Sequence, residues 1–146
     1  QTFSAPVVIS EPSVRYAVYG GVEVRKPGTM AIAYYGSTNG DTGPFNGYIA
    51  ESTNALSARP SFHSALVNDP AKPLSPQGYD VGYARLPSGG ELNEIIKPTY
   101  APNGDIWVGF ARDMCLGYAG TEQCAWDVAA NNNAFFQGAI GRLVHR

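Results

Sequence analysis

Carboxylates are the first residues to weigh, because cleaving a glycosidic bond usually takes two of them, one on each side of it. Asp41, Glu51, Asp69, Asp80, Glu91, Glu94, Asp105, Asp113 and Glu122 are spread along the chain with no spacing that pairs any two. Each therefore reads first as a solvated surface acid. Asp41, with Asn39 and Thr42, offers oxygen atoms that could help ligate calcium, although turn chemistry explains the same three residues without an ion. His63 and His145 are the only histidines, and His63 follows an aromatic in a strand-like run, the place of a structural histidine rather than a general base. No Gly-x-Ser-x-Gly elbow, phosphate-binding Gly-rich loop or His-Glu-x-x-His pair is present. Tyr79 and Tyr83 could stack on a sugar face, as aromatics do when they are not filling a core. Trp107, between Ile106 and Val108, reads as core.

Cys115 and Cys124 are separated by eight residues. Without nearby histidines this spacing does not suit a metal site. A disulfide is the expectation, closing a short loop at a gain of roughly 2–3 kcal/mol and implying an oxidising, extracellular compartment. Two buried thiols are the alternative.

The elements that must position these residues are strands. With 146 residues, 44% hydrophobic and 15% charged, the chain suits one globular unit. Its 17 Gly, 11 Pro and 9 Tyr favour a turn-rich β protein. A net charge of −2 and the lack of a Lys/Arg cluster offer no basis for nucleic-acid binding. No apolar run approaches the ~20 residues of a membrane helix. The start at Gln1, with no Met, basic stretch or apolar signal core, is expected of a cleaved or partial chain.

In chain order, Pro6 to Ser10 reads as a short apolar strand, and Tyr16 to Val24 as another, interrupted at Gly20-Gly21 by a bulge or bend. Lys26-Pro27-Gly28 is a turn. Met30 to Tyr35 alternates with period two, a polar loop follows from Gly36 to Pro44, and Phe45 to Glu51 returns as a strand. Ser61 to Asn68 makes one more. Residues 71–90 form a long loop, which places Tyr79, Tyr83 and Arg85 on a candidate binding rim. Glu94 to Tyr100 is a strand, Asn103-Gly104 the strongest hairpin signal, and Asp105 to Ala111 a strand apolar on both faces and hence central. The segment from Ala125 to Arg146 fits a short helix or a terminal strand.

After the strand from Phe45 to Glu51 comes Ser52-Thr53-Asn54-Ala55-Leu56-Ser57-Ala58-Arg59-Pro60-Ser61-Phe62. This stretch resembles a degenerate Asp-box, the Ser-x-Asp-x-Gly-x-Thr-Trp turn of sialidase-type (BNR-repeat) β-propellers. Ser52 holds the first position, Asn54 replaces the Asp, and Phe62 stands in for the closing Trp, displaced by extra residues. The usual Gly is absent. Together with FSAPVVIS, KPGTMAIAYYGS and APNGDIWVGFARDMC, the order is similar to the C-terminal blades of secreted sialidase-like propeller proteins, over about residues 2 to 120. The resemblance implies an all-β fold of antiparallel propeller-type blades, two to three in number, with residues 121–146 as a closing segment. So few blades cannot close a ring, and a β-sandwich is the alternative reading of the strand spacing. The family uses a Tyr nucleophile with an acidic partner and holds the substrate carboxylate with arginines, whose planar fork suits that task. Arg15 beside Tyr16, and Arg85 near Tyr83, match in residue type only, and SPQGYDVGYARLPSGGELNEI departs from the family's pattern.

The expectation is thus a secreted, non-catalytic β module for binding or assembly, completing a propeller with itself or with another segment of its own chain. It requires no cofactor, calcium apart. Two alternatives remain: the C-terminal portion of a sialidase-like glycoside hydrolase, and a lectin-like carbohydrate-binding domain.

Overall fold

The computed structural model describes residues 4–40, 43–75, 96–113 and 136–144. Seven strands occur in them: β1 (Tyr16–Lys26), β2 (Thr29–Ser37), β3 (Asn46–Ser52), β4 (His63–Leu66), β5 (Thr99–Tyr100), β6 (Ile106–Asp113) and β7 (Phe136–Leu143). All neighbours are antiparallel, in a four-stranded sheet ordered β1-β2-β3-β4 (sheet 1) and a three-stranded sheet ordered β5-β6-β7 (sheet 2). There is no helix among the described residues. Among the described residues neither sheet closes on itself.

The alternation of β2 decides how the sheets meet. Ala31, Ala33 and Tyr35 point to one face, and Ala33 and Tyr35 stand opposite Ile49 and Gly47 of β3. Together with Phe45, Leu74 and Ile96 they form one buried cluster with Ile106, Val108 and Phe110 of β6. The two sheets therefore share a core. Tyr35 meets Phe110 edge to face, ring centroids 5.3 Å apart, a favoured aromatic geometry. Its hydroxyl donates to the Ala111 carbonyl at 3.0 Å and accepts from the Ala111 N–H at 2.7 Å. Among the described residues β5 pairs with β6 only at Ile106 and Trp107, and past that point none of them continues as a strand along that edge. Tyr35 supplies a partner there from the other sheet.

Glycines act where the backbones touch. The register of β1 on β2 shifts between Val18 and Gly21, the bulge expected at Gly20-Gly21. A Cβ on Gly21 would stand 1.6 Å from the Ile96 carbonyl oxygen, so only glycine lets β1 approach the segment that leads into β5. The turns at Gly28 and Gly104 take φ of 80° and 96°, the left-handed region that glycine occupies at little cost.

The opposite face of sheet 1 carries a second cluster, Tyr34, Tyr48 and Ala50, against which Ile9, Val14 and Ile32 pack. Tyr34 and Tyr48, directly opposite in register, stack at 5.1 Å. Here the structure departs from the expected strand at Pro6 to Ser10. That segment is not a strand but a strap laid over the sheet, held where the Glu11 N–H donates to the Tyr34 hydroxyl at 2.9 Å and that hydroxyl shares a 2.8 Å hydrogen bond with Ser64 Oγ.

Other boundaries differ as well. The run from Ser61 to Asn68 contracts to four strand residues, because Asn54 holds Ser61 and Asn68 is drawn into the following turn. Of the strand expected over Glu94 to Tyr100, only Thr99 and Tyr100 pair within the described residues; Pro98, lacking an N–H, cannot extend the ladder. Of the C-terminal segment from Ala125 to Arg146, the described residues 136–144 hold a strand, β7. β6 is central in its sheet as expected, yet Trp107 is not core. It is 38% exposed, because Ile106, Val108 and Phe110 take the inner face and parity sends Trp107 outward, where Arg142 lies over its ring at 5.0 Å.

Candidate functional site

The Ser52–Phe62 turn leaves β3 with Ser52 buried. The Asn54 side-chain oxygen accepts from the Ser52 hydroxyl (3.1 Å), the Ser61 N–H (2.9 Å) and the Ser61 hydroxyl (3.1 Å), while the Asn54 N–H donates to Ser52 Oγ at 3.2 Å. The Ala55 N–H donates to the Gly28 carbonyl at 2.9 Å, tying the turn to the β1–β2 connection. One acceptor oxygen on residue 54 thus closes the loop, and a carboxamide oxygen suffices. Phe62 is half-buried and His63 exposed.

Charged and aromatic groups pair at several places among the described residues. The Tyr100 hydroxyl donates to buried Glu51 at 3.3 Å, and the Arg25 guanidinium lies over the Tyr100 ring at 5.5 Å. Burial, reinforced by the Glu51 carboxylate, raises the Tyr100 phenol far above its ordinary value. It stays neutral at physiological pH, with its hydroxyl held by the Glu51 carboxylate. Lys97 pairs with Glu23 at 2.8 Å. Asp105, buried, accepts from Arg142 Nε at 3.0 Å, from Arg142 Nη2, and from Asn103 Nδ2 at 2.8 Å. Asp69 accepts from the Ala71 N–H at 2.9 Å. Glu51, Asp69 and Asp105 each accept a hydrogen bond from a local partner.

Among the clefts on the described surface, two are lined mainly by apolar groups. One, about 200 Å³, is lined by Val67, Leu74, Phe110 and Gly141, with Asp69 and Lys72 also on its wall. The other, about 340 Å³, lies under the strap between Val7, Val8, Ile32 and Tyr34. Beyond the strap the outer face of sheet 1 is aliphatic and open: Val22 and Val24, opposite Ile32 and Met30 in register, are 51% and 60% exposed. On the outer face of sheet 2, Ile140 stands opposite Gly109 and is 75% exposed.

Of the residues singled out in the sequence, Ser52 and Asn54 come together in the turn, and Arg15 lies exposed on the surface, its backbone N–H donating to the Ser37 carbonyl at 2.9 Å. Tyr79, Tyr83, Arg85, Cys115, Cys124, Asp41 and Thr42 lie outside the described residues. Among the described residues no group of three His, Cys, Asp or Glu side chains is placed to hold a metal ion, and no helix is long and apolar enough to cross a membrane. Sequence reasoning missed Tyr35 as the link between sheets and Asn68 as a hub, which accepts from the Gly47 N–H at 2.9 Å and donates to Asn46 Oδ1 at 2.8 Å. A signal for the first was present. Two consecutive tyrosines in a period-two strand must face opposite sides, so one of them had to enter the core.

No family model, no curated protein and no solved structure matches this chain at a significant level.

Proposed function

We propose that this is a non-catalytic, extracellular β module that works by assembly. A further β layer stacks on the outer face of sheet 1, supplied by a second copy of the chain, as in a ring of propeller-type blades. The observation that carries this reading is that sheet 1 is apolar on both sides. Sheet 2 covers one side, the strap covers part of the other, and Val22 and Val24 remain open beside it. Exposed aliphatic side chains grouped on one sheet face are the mark of an interaction surface. The strand edges add to this, since among the described residues β1 and β7 each pair on one side only, and an open edge tends to recruit another strand. The resemblance of the Ser52–Phe62 turn to a blade turn supports the same conclusion.

The test is a double substitution, Val22→Lys with Val24→Lys, read by native mass across a range of protein concentrations. Both positions are exposed in the single chain, so the fold is retained. Burying what remains exposed of each valine is worth about 1 kcal/mol, and two lysines add the cost of burying charge. Self-affinity is expected to fall by at least about 30-fold. An unchanged native mass distribution would overturn the proposal.

A further inference from the structure

The sequence contains three Asn-Gly pairs, Asn39-Gly40, Asn46-Gly47 and Asn103-Gly104. This dipeptide is the one most prone to spontaneous deamidation, because glycine leaves the following backbone nitrogen unshielded. The reaction needs that nitrogen free to move onto the Asn side-chain carbon. In this fold the three pairs stand in very different positions.

At Asn46-Gly47 the nucleophile is occupied: the Gly47 N–H donates to Asn68 Oδ1 at 2.9 Å. The Asn46 side chain accepts from Asn68 Nδ2 at 2.8 Å and is buried inside β3. At Asn103-Gly104 the Gly104 N–H donates to the Ala101 carbonyl at 2.9 Å. Both ends of the Asn103 carboxamide are held by Asp105, Nδ2 donating to Oδ2 at 2.8 Å and Oδ1 accepting the Asp105 N–H at 3.2 Å. Asn39 is different. It is exposed in the β2–β3 connection, and among the described residues nothing accepts from the Gly40 N–H. Gly40 sits at φ 90° with nothing within 4 Å of where a Cβ would stand. Among the described residues the one group on the Asn39 carboxamide is the Thr38 hydroxyl, which donates to Oδ1 at 3.4 Å and thereby polarises the carbonyl in the direction attack requires.

We propose that Asn39 is the site at which this protein is spontaneously converted to aspartate and isoaspartate. The Gly40 backbone nitrogen gives its proton to solvent base and attacks Asn39 Cγ. The Cγ–Nδ2 bond breaks, and the side-chain nitrogen leaves as ammonia, taking up a proton from solvent. The resulting five-membered succinimide adds one water at either carbonyl and opens to aspartate or to isoaspartate. Water enters and ammonia leaves, and nothing is oxidised or reduced. The product carries one more negative charge on the β2–β3 connection, away from the core shared by the two sheets.

The experiment is peptide mapping, with an isoaspartate assay, of the intact folded protein held at mildly alkaline pH. A parallel sample is unfolded in urea, and the Asn39→Gln variant serves as control. In the folded protein Asn39 is expected to convert at least about tenfold faster than Asn46 or Asn103, the factor that about 1.4 kcal/mol of barrier represents, because each of those two must first break backbone hydrogen bonds. In urea the three sites converge, and the variant loses the isoaspartate signal from the folded protein while its melting temperature is unchanged. Comparable rates at the three sites in the folded protein would overturn the proposal, as would slower conversion of Asn39 than of either other site.

Discussion

Removing one oxygen atom from Tyr35 tests how the two sheets are joined. Tyr35 is 1% exposed, and its hydroxyl makes hydrogen bonds of 3.0 and 2.7 Å with the carbonyl and N–H of Ala111, 76 positions away in sequence. Tyr35→Phe keeps the ring and its edge-to-face contact with Phe110, so no cavity larger than the hydroxyl is made. What is lost is a pair of hydrogen bonds at about 1 kcal/mol each, about 2 kcal/mol in all, rising toward about 4 kcal/mol if both Ala111 groups stay dry and unpaired. For a chain of this size that is a fall in melting temperature of about 4–8 °C. Urea denaturation should show a lower midpoint with an unchanged slope, since the surface exposed on unfolding is the same. Tyr48→Phe is the control: that hydroxyl makes no hydrogen bond among the described residues, and its ring stacks on Tyr34. If Tyr35→Phe costs less than about 0.5 kcal/mol, the level of an ordinary surface change, or no more than Tyr48→Phe, the hydroxyl does not join the sheets and the reasoning fails.

Other substitutions probe the remaining devices. Gly21→Ala forces a Cβ against the Ile96 carbonyl and is expected to cost about 3 kcal/mol or to prevent folding; Gly20→Ala, with nothing within 4 Å of the new atom, should be nearly silent, and equal effects in a thermal melt would contradict the close approach. Asn54→Ala removes the acceptor that closes the β3–β4 connection and should cost about 1–2 kcal/mol. Asn54→Asp keeps an acceptor oxygen and should be close to neutral, so equal losses would show that the side-chain oxygen is not what closes the turn. Burial raises the Tyr35 phenol to about 12 and moves Tyr34, Tyr48 and Tyr100 the same way. Unfolded tyrosines ionise near ~10, so the stabilisation is full below that pH and is lost as pH rises from about 10 towards 12. Phenolate absorbance recorded with stability should show tyrosines that ionise late and a fold that weakens above about pH 10; all tyrosines titrating near ~10 in the folded protein would contradict this.

The sheet that matters most was legible because its pattern is local. Met30 to Tyr35 alternates, Lys26-Pro27-Gly28 and Asn103-Gly104 mark their turns, and Gly20-Gly21 announces a bulge, all of which are properties of neighbouring residues. Parity was not legible in the run from Asp105 to Ala111. Ile106, Trp107 and Val108 are all apolar, so nothing local says which face is inner, and Trp107 was assigned to the core that its neighbours occupy. The strap showed the same ambiguity, since Pro6 to Ser10 is apolar because it covers a sheet rather than because it joins one. Tyr35 and Asn68 act through partners distant in the chain; consecutive tyrosines tell that one ring turns inward, but not that its hydroxyl reaches Ala111. Asn54 was visible only through the resemblance to a blade turn, and its role as acceptor became clear from the three hydrogen bonds it receives.

We propose that the part of the outer face of sheet 1 left open by the strap is covered by a further β layer. Native mass of the purified 146-residue chain as a function of concentration, set beside its intact denatured mass, tests it most directly. The account predicts a denatured mass of 15.5 kDa and a native mass that rises to a multiple of it as concentration increases. A single 15.5 kDa species at every concentration, unfolding cooperatively, would mean that the open face of sheet 1 needs no partner, and would contradict it.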